Sequence, residues 1–190
     1  MQLDLSKGMS LDLTKTGNTV FTFGLSWDPS QVGEPVDIDA SAFLLGTVDG
    51  KYKLQDIKNA VFFNNLSSPT GAVTLSGDNR DGVGDGYDES IFIDITKLPA
   101  DVSQVNVYIN IFKPAISFSK VRNAKVDILD SNGRVLANFC MSEQLTDENS
   151  LLVGTVTKNG ASWDFIARGE GYVVADLNTI VNTLNVQGSN

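Results

Sequence analysis

Apolar and polar residues alternate along most of this chain with a period of two. In TVFTFGLSW (19–27), Phe21, Phe23, Leu25 and Trp27 fall on one side, with Thr22, Gly24 and Ser26 on the other. VDIDASAFLL (36–45), SIFIDI (90–95), VNVYINIF (105–112) and AKVDIL (124–129) repeat the pattern. Each predicts a strand with one buried face. Shorter strands are expected at 60–63, 72–76, 134–139, 150–157 and 162–167. Turn signals separate them: DPSQVGEP, VDGK, SSPTG, DSNG and KNGA. Short strands joined by tight turns predict an all-β fold, an antiparallel β-sandwich. VVADLNTIVNTL (173–184) breaks the pattern with apolar residues at helical spacing, so a short C-terminal helix should pack against the sandwich. The final QGSN should fray. With no linker or repeat, residues 1–190 read as a single domain.

Charge narrows the partners. Fourteen bases against 23 acids leave a net charge of −9, so nucleic acid and anionic lipid surfaces meet a repulsive field. MQLDLSKGMSLDL lacks a basic segment followed by an apolar one, and no apolar run approaches the ~20 residues that cross a bilayer. The expectation is a cytoplasmic protein with no direct membrane insertion. The chain has one cysteine, Cys140, and no histidine. That excludes an internal disulfide, cysteine-based zinc and the histidine-dependent catalytic devices, while carboxylate and bound-metal chemistry stay open.

The chemistry concentrates in GDNRDGVGDGYDES (77–90), which puts five acids among four glycines and one arginine. Its glycines permit positive φ, so carbonyls and carboxylates can turn inward together. Hard oxygen donors on such a loop suit calcium, which takes six to eight oxygens, better than magnesium. In VDIDAS, Asp37, Asp39 and Ser41 are two residues apart and project from one strand face. Should these elements meet, Asp37, Asp39, Asp78, Asp81, Asp85, Asp88 and Glu89 would face Arg80 alone. One divalent ion would leave that cluster strongly negative, whereas two would nearly balance it. An EF-hand register from Asp81 fails, because Val83 and Phe92 stand where oxygen ligands are required. One glycine-rich tract is too few for a calcium β-roll. The loop has no lysine and leads into a strand, so it is no phosphate loop. The alternative is a solvated acidic turn.

VDIDASAFLL, VFFNNLSSPTGAV and SGDNRDGVGDGYDESIFIDITKLPADV, in that order and spacing, resemble the bacterial tellurite-resistance TerD family. The likeness extends through GLSWD (24–28), FSKVRNAKVDILD (118–130) and WDFIARGEGY (163–172), and covers nearly the whole chain. The resemblance implies a β-sandwich binding calcium, commonly two ions, through the two acidic elements. Carried over by position, the ligands are Asp37 and Asp39 on the strand. From the loop come Asp78, Asn79, Asp85, Asp88 and Glu89, with carbonyls such as those of Gly82 and Gly84. It further implies a cytoplasmic stress protein without established enzymatic activity. Its expected partners are other stress-resistance proteins, in an assembly associated with the membrane. Tyr87 departs from the family, which usually carries an acid there; that loss weakens the second site, and Asp81 stands ready to compensate.

Other residues carry blander expectations. Trp27 and Trp163 read as core or cap residues, and Cys140 as a small buried hydrophobe. FKPAISFSK (112–120) reads as an ordinary connection with two exposed aromatics. Asn64 and Asn65 either offer a metal an amide oxygen or shape the turn before SSP. The functional reading is a non-enzymatic, calcium-binding stress module. Its alternatives are a metal-dependent phosphoesterase, disfavoured without histidine or a basic clamp, and a calcium-dependent sugar-binding sandwich.

Overall fold

The alternating segments form strands that stack as two sheets. The computed structural model describes residues 3–4, 8–29, 35–77, 79–83, 86–112, 116–141 and 145–188. In chain order the strands are β1 (Leu3–Asp4), β2 (Ser10–Asp12), β3 (Val20–Ser26), β4 (Ile38–Val48), β5 (Lys51–Lys53), β6 (Ala60–Val61) and β7 (Val73–Leu75). Then follow β8 (Glu89–Asp94), β9 (Gln104–Ile111), β10 (Lys125–Leu129), β11 (Val135–Cys140), β12 (Ser150–Asn159), β13 (Ser162–Tyr172) and a helix, α1 (Leu177–Val186). Among the described residues, the first sheet runs β1-β11-β10-β3-β8-β7 and the second β2-β13-β12-β9-β4-β5, with β6 added to β4. The pairs are antiparallel except β1 with β11, which is parallel.

The core lies between the sheets. Phe21, Phe23, Leu25 and Trp27 of the β3 segment meet Ile38, Ala40, Ala42 and Leu44 of β4 and Val105, Val107, Ile109 and Ile111 of β9. Removing those side chains from water supplies the main drive for stacking the sheets. Phe23 also tilts against Phe165, with ring centroids 5.5 Å apart.

Several expectations need correction. The pattern of β9 predicts one buried face, yet all eight of its residues are buried. The reason is tertiary: α1 and the segment around β6 cover the second sheet's outer face, where Phe43, Leu45, Tyr108, Leu152, Ile180 and Leu184 form a smaller cluster. The helix starts at Leu177 rather than at 173. Val174 is held extended by Asn149, which accepts from its N–H at 2.9 Å and donates to its carbonyl at 2.8 Å. Asp176 then accepts from the Thr179 N–H at 3.0 Å and caps the helix. Phe118 is fully buried rather than exposed, whereas Phe112 is 58% exposed. Cys140 is only half-buried. Asn65 shapes the turn: its N–H donates to the Phe62 carbonyl at 2.8 Å and its side chain to the Ala60 carbonyl at 2.6 Å.

Candidate metal centre

The acidic loop enters β8 beside β3, and backbone hydrogen bonds decide where its acids point. Glu89 pairs with Leu25 in the β3–β8 register, so its side chain enters the sandwich, where it is fully buried. An isolated carboxylate there would carry a large desolvation penalty. Its Oε2 accepts the Ala40 N–H at 2.7 Å and its Oε1 the Asn79 N–H at 3.4 Å. Ala40 lies on β4 next to Asp39, so Glu89 ties the loop to the opposite sheet at the strand carrying the second acidic element.

Asp88 anchors the loop to β3. Its backbone N–H donates to the Leu25 carbonyl at 2.8 Å. The carboxylate accepts the Trp27 N–H at 3.0 Å through Oδ2 and Asn79 Nδ2 at 3.0 Å through Oδ1. Asn79 organises the turn: its Oδ1 accepts from the N–H groups of Asp81 at 3.1 Å and Gly82 at 3.0 Å. Gly82 has φ +68°, and a Cβ there would meet Trp27 Nε1 at 2.6 Å and the Trp27 carbonyl oxygen at 2.9 Å. The Trp27 indole in turn donates to the Val36 carbonyl at 3.1 Å. Trp27 is therefore a core residue, as its place on the strand predicts, and also the seat of the loop.

Burial is the main cause raising the Asp88 carboxyl above its usual range; the Trp27 N–H works against it, and the charges of Asp81 and Asp28 add to the rise. Asp28 was missing from the sequence-based ligand set. The GLSWD motif held the signal, since an acid one residue beyond an anchoring tryptophan lies at the same sandwich end as the loop. Its Oδ2 accepts Asn123 Nδ2 at 2.7 Å.

Of the nine residues assigned from sequence, Asn79, Gly82, Asp88 and Glu89 come together here. Asp37 and Asp39 stand at the start of β4, but Asp39, buried opposite Asn110, shares the second sheet's outer face with Ser41. It lines a groove there with Phe62, Asn64 and Asn110, whereas Glu89 enters between the sheets. Asp78, Gly84 and Asp85 lie outside the described residues. Among the described residues, no three acids, cysteines or histidines close into a metal-holding group. The donor chemistry still fits a hard cation: each carboxylate oxygen bonded to an N–H keeps a further lone pair.

Tyr87 turns elsewhere. Its ring lies on Gly24, where a Cβ would meet it at 2.6 Å. Its hydroxyl donates to Asp127 Oδ2 at 3.0 Å, and burial, reinforced by Asp127, pushes it up to about 12. Gly24 and Asp127 are register partners on the outer face of the first sheet. Tyr87 therefore serves that face, while Asp88 and Glu89 serve the loop.

The chain matches the TerD domain family over residues 1–184. It is 36% identical to a tellurium resistance protein TerD of Alcaligenes, over 90% of this chain and 92% of that one. General stress protein 16U of Bacillus subtilis is 32% identical over the same shares. A crystal structure of a TerD homologue from Streptomyces coelicolor superposes with a TM-score of 0.72, covering 91% of this chain and 99% of the other at 22% identity. At that identity the superposition bears on the fold alone.

Proposed function

Since the chain belongs to the TerD family, we propose that it is a non-enzymatic, calcium-binding stress-resistance protein whose acidic loop and β4 form the ion site. The observation that carries this reading is the bonded path from Trp27 through Asp88, Asn79 and Glu89 to Ala40. It sets two carboxylates at one sandwich end, with Asp37 and Asp39 on the strand that Glu89 reaches. Asp28 and Asp81 crowd Asp88 further, and a divalent cation offsets such crowding. Asp37, Asp39, Asp78, Asp85, Asp88 and Glu89 would supply carboxylates, with Asn79, Gly82 and Gly84 as neutral oxygen donors. Two ions would fasten loop to strand and shape a surface for other stress-resistance proteins, in an assembly associated with the membrane.

The names of the relatives, tellurium resistance and general stress proteins, support the stress role. Hydrolysis and sugar binding have no structural observation of their own. Isothermal calorimetry tests the reading. Calcium should bind with up to two ions per chain, and Asp39→Ala and Asp88→Ala should each weaken or abolish a step. Asp101→Ala, outside the loop, should match the wild type. Equal losses from all three, or no heat of binding, would reject the site.

A further inference from the structure

The second sheet's outer face raises a different question. β9 turns Gln104, Asn106, Tyr108 and Asn110 toward this face, and β4 adds Ser41; all are buried. Ser41 Oγ, Gln104 Oε1 and Asn110 Nδ2 make no hydrogen bond. Each of these atoms carries a desolvation cost. The Gln104 amide still donates to Asn106 Oδ1 at 2.7 Å, and Asn110 Oδ1 accepts from Ser150 Oγ at 2.6 Å. Of the three residues, Gln104 lines the adjoining cavity.

Between this face and α1 lies a cavity of about 370 Å³, within the usual range of small-molecule sites. Leu152, Val174, Ile180 and Leu184 supply apolar walls, and Tyr108 and Tyr172 supply aromatic ones. Arg168 and Glu170 also line it. Being two residues apart on β13, they face the same way with opposite charges. The Tyr172 hydroxyl donates to Glu170 Oε2 at 2.7 Å, which fixes that carboxylate at the cavity wall. With one charge of each sign the lining has no net charge to hold a lone ion, so a bare oxyanion would meet Glu170 as well as Arg168.

We infer that this cavity binds a zwitterionic amino acid with an apolar side chain. Its carboxylate would meet the Arg168 guanidinium, its ammonium the Glu170 carboxylate, and its side chain the Leu152–Ile180–Leu184 wall. Arg168 and Glu170 exchange contacts within the protein for contacts to the ligand, so the charge balance of the cavity is preserved. This inference is independent of the calcium reading.

The test is a titration of the full chain, followed by backbone amide NMR and calorimetry, with L-leucine, N-acetyl-leucine and leucinamide as probes. L-leucine should saturably shift the amide signals of Ile180, Thr183 and Leu184. N-acetyl-leucine lacks the ammonium and leucinamide the carboxylate, so each should bind roughly tenfold more weakly, about the loss of one charge-assisted hydrogen bond. Glu170→Gln should lose the preference for leucine over N-acetyl-leucine. Thr183→Phe, at an exposed α1 position that lines the cavity, should block it without altering the circular dichroism. The proposal is overturned if leucine shifts none of these signals. It is equally overturned if all three probes bind alike, or if Glu170→Gln and Thr183→Phe bind leucine as the wild type does.

Discussion

Two buried polar regions of this molecule differ in how their groups are satisfied. At the loop end, the Asp88 and Glu89 carboxylates each accept two hydrogen bonds from nitrogens fixed by strand or turn. On the second sheet's outer face, Ser41, Gln104 and Asn110 each leave a buried polar atom without one. The first region is built into the fold, and removing a group there strands its partners. The second is tolerated by the fold: removing the Ser41 hydroxyl relieves it, while Gln104 and Asn110 are each held by one hydrogen bond, to Asn106 and from Ser150. Burial alone does not distinguish these cases; the accounting of partners does.

The largest expected effect comes from breaking the first region. Glu89→Ala leaves the Ala40 N–H buried and unpaired and opens the join between the sheets. A loss of about 3 kcal/mol is expected, following the worth of hydrogen bonds to charged groups, and urea unfolding measures it as a fall in midpoint at unchanged slope. Calcium comes next. At 100 times its dissociation constant it should stabilise the fold by about 2.7 kcal/mol per independent site. Chelation should lower the Tm, with magnesium restoring it in part; a Tm indifferent to both would leave the acidic loop a plain turn.

Gly82→Ala is third. The positive φ costs about 1–2 kcal/mol for a residue with a Cβ, and the Cβ would press on Trp27. The signature is a red-shifted tryptophan emission together with weaker calcium binding; unchanged fluorescence would deny Trp27 its role as the loop's seat. Ser41→Ala sharpens the contrast from the other side. It removes an unpartnered hydroxyl, so stability should stay level or rise by up to about 1 kcal/mol. A marked loss would mean that Ser41 has a role the geometry does not show.

The smallest effect is a pH dependence. The Thr179 N–H, with Asn178, holds the Asp176 carboxyl below its usual range despite some opposing desolvation. A depressed pKa means the cap's contribution is fully present above the ordinary carboxyl range and is lost as pH falls through the lowered value. Asp176→Ala should therefore lower the Tm slightly at neutral pH and flatten its fall in acid; equal acid sensitivity in both proteins would contradict this.

Much of this was legible in the sequence because alternation is a local property. Phe21, Phe23, Leu25 and Trp27 share a face whatever surrounds them, so β3 and the sandwich could be read directly. The acids of the loop stood out by crowding, and their order within VDIDAS and GDNRDGVGDGYDES carried the family resemblance. Asp28 escaped because one acid after a tryptophan is unremarkable until the chain brings it beside Asp88. Tyr87 reads as a lost ligand because the family resemblance puts an acid at its position, whereas its neighbours in space are Gly24 and Asp127.

Sequence by itself determined which faces of the strands must leave water, since that follows from a period of two and the cost of hydrating apolar side chains. Tertiary structure alone decided what covers the other faces. The outer side of β9 reads as a solvated row of Gln104, Asn106, Tyr108 and Asn110. It is buried because α1, more than sixty residues later, folds back over it. The same long-range closure sends the Glu89 carboxylate to the Ala40 N–H, 49 residues away in the chain. Such contacts join residues whose separation leaves no local periodicity to read, so only the packed sheets bring them together.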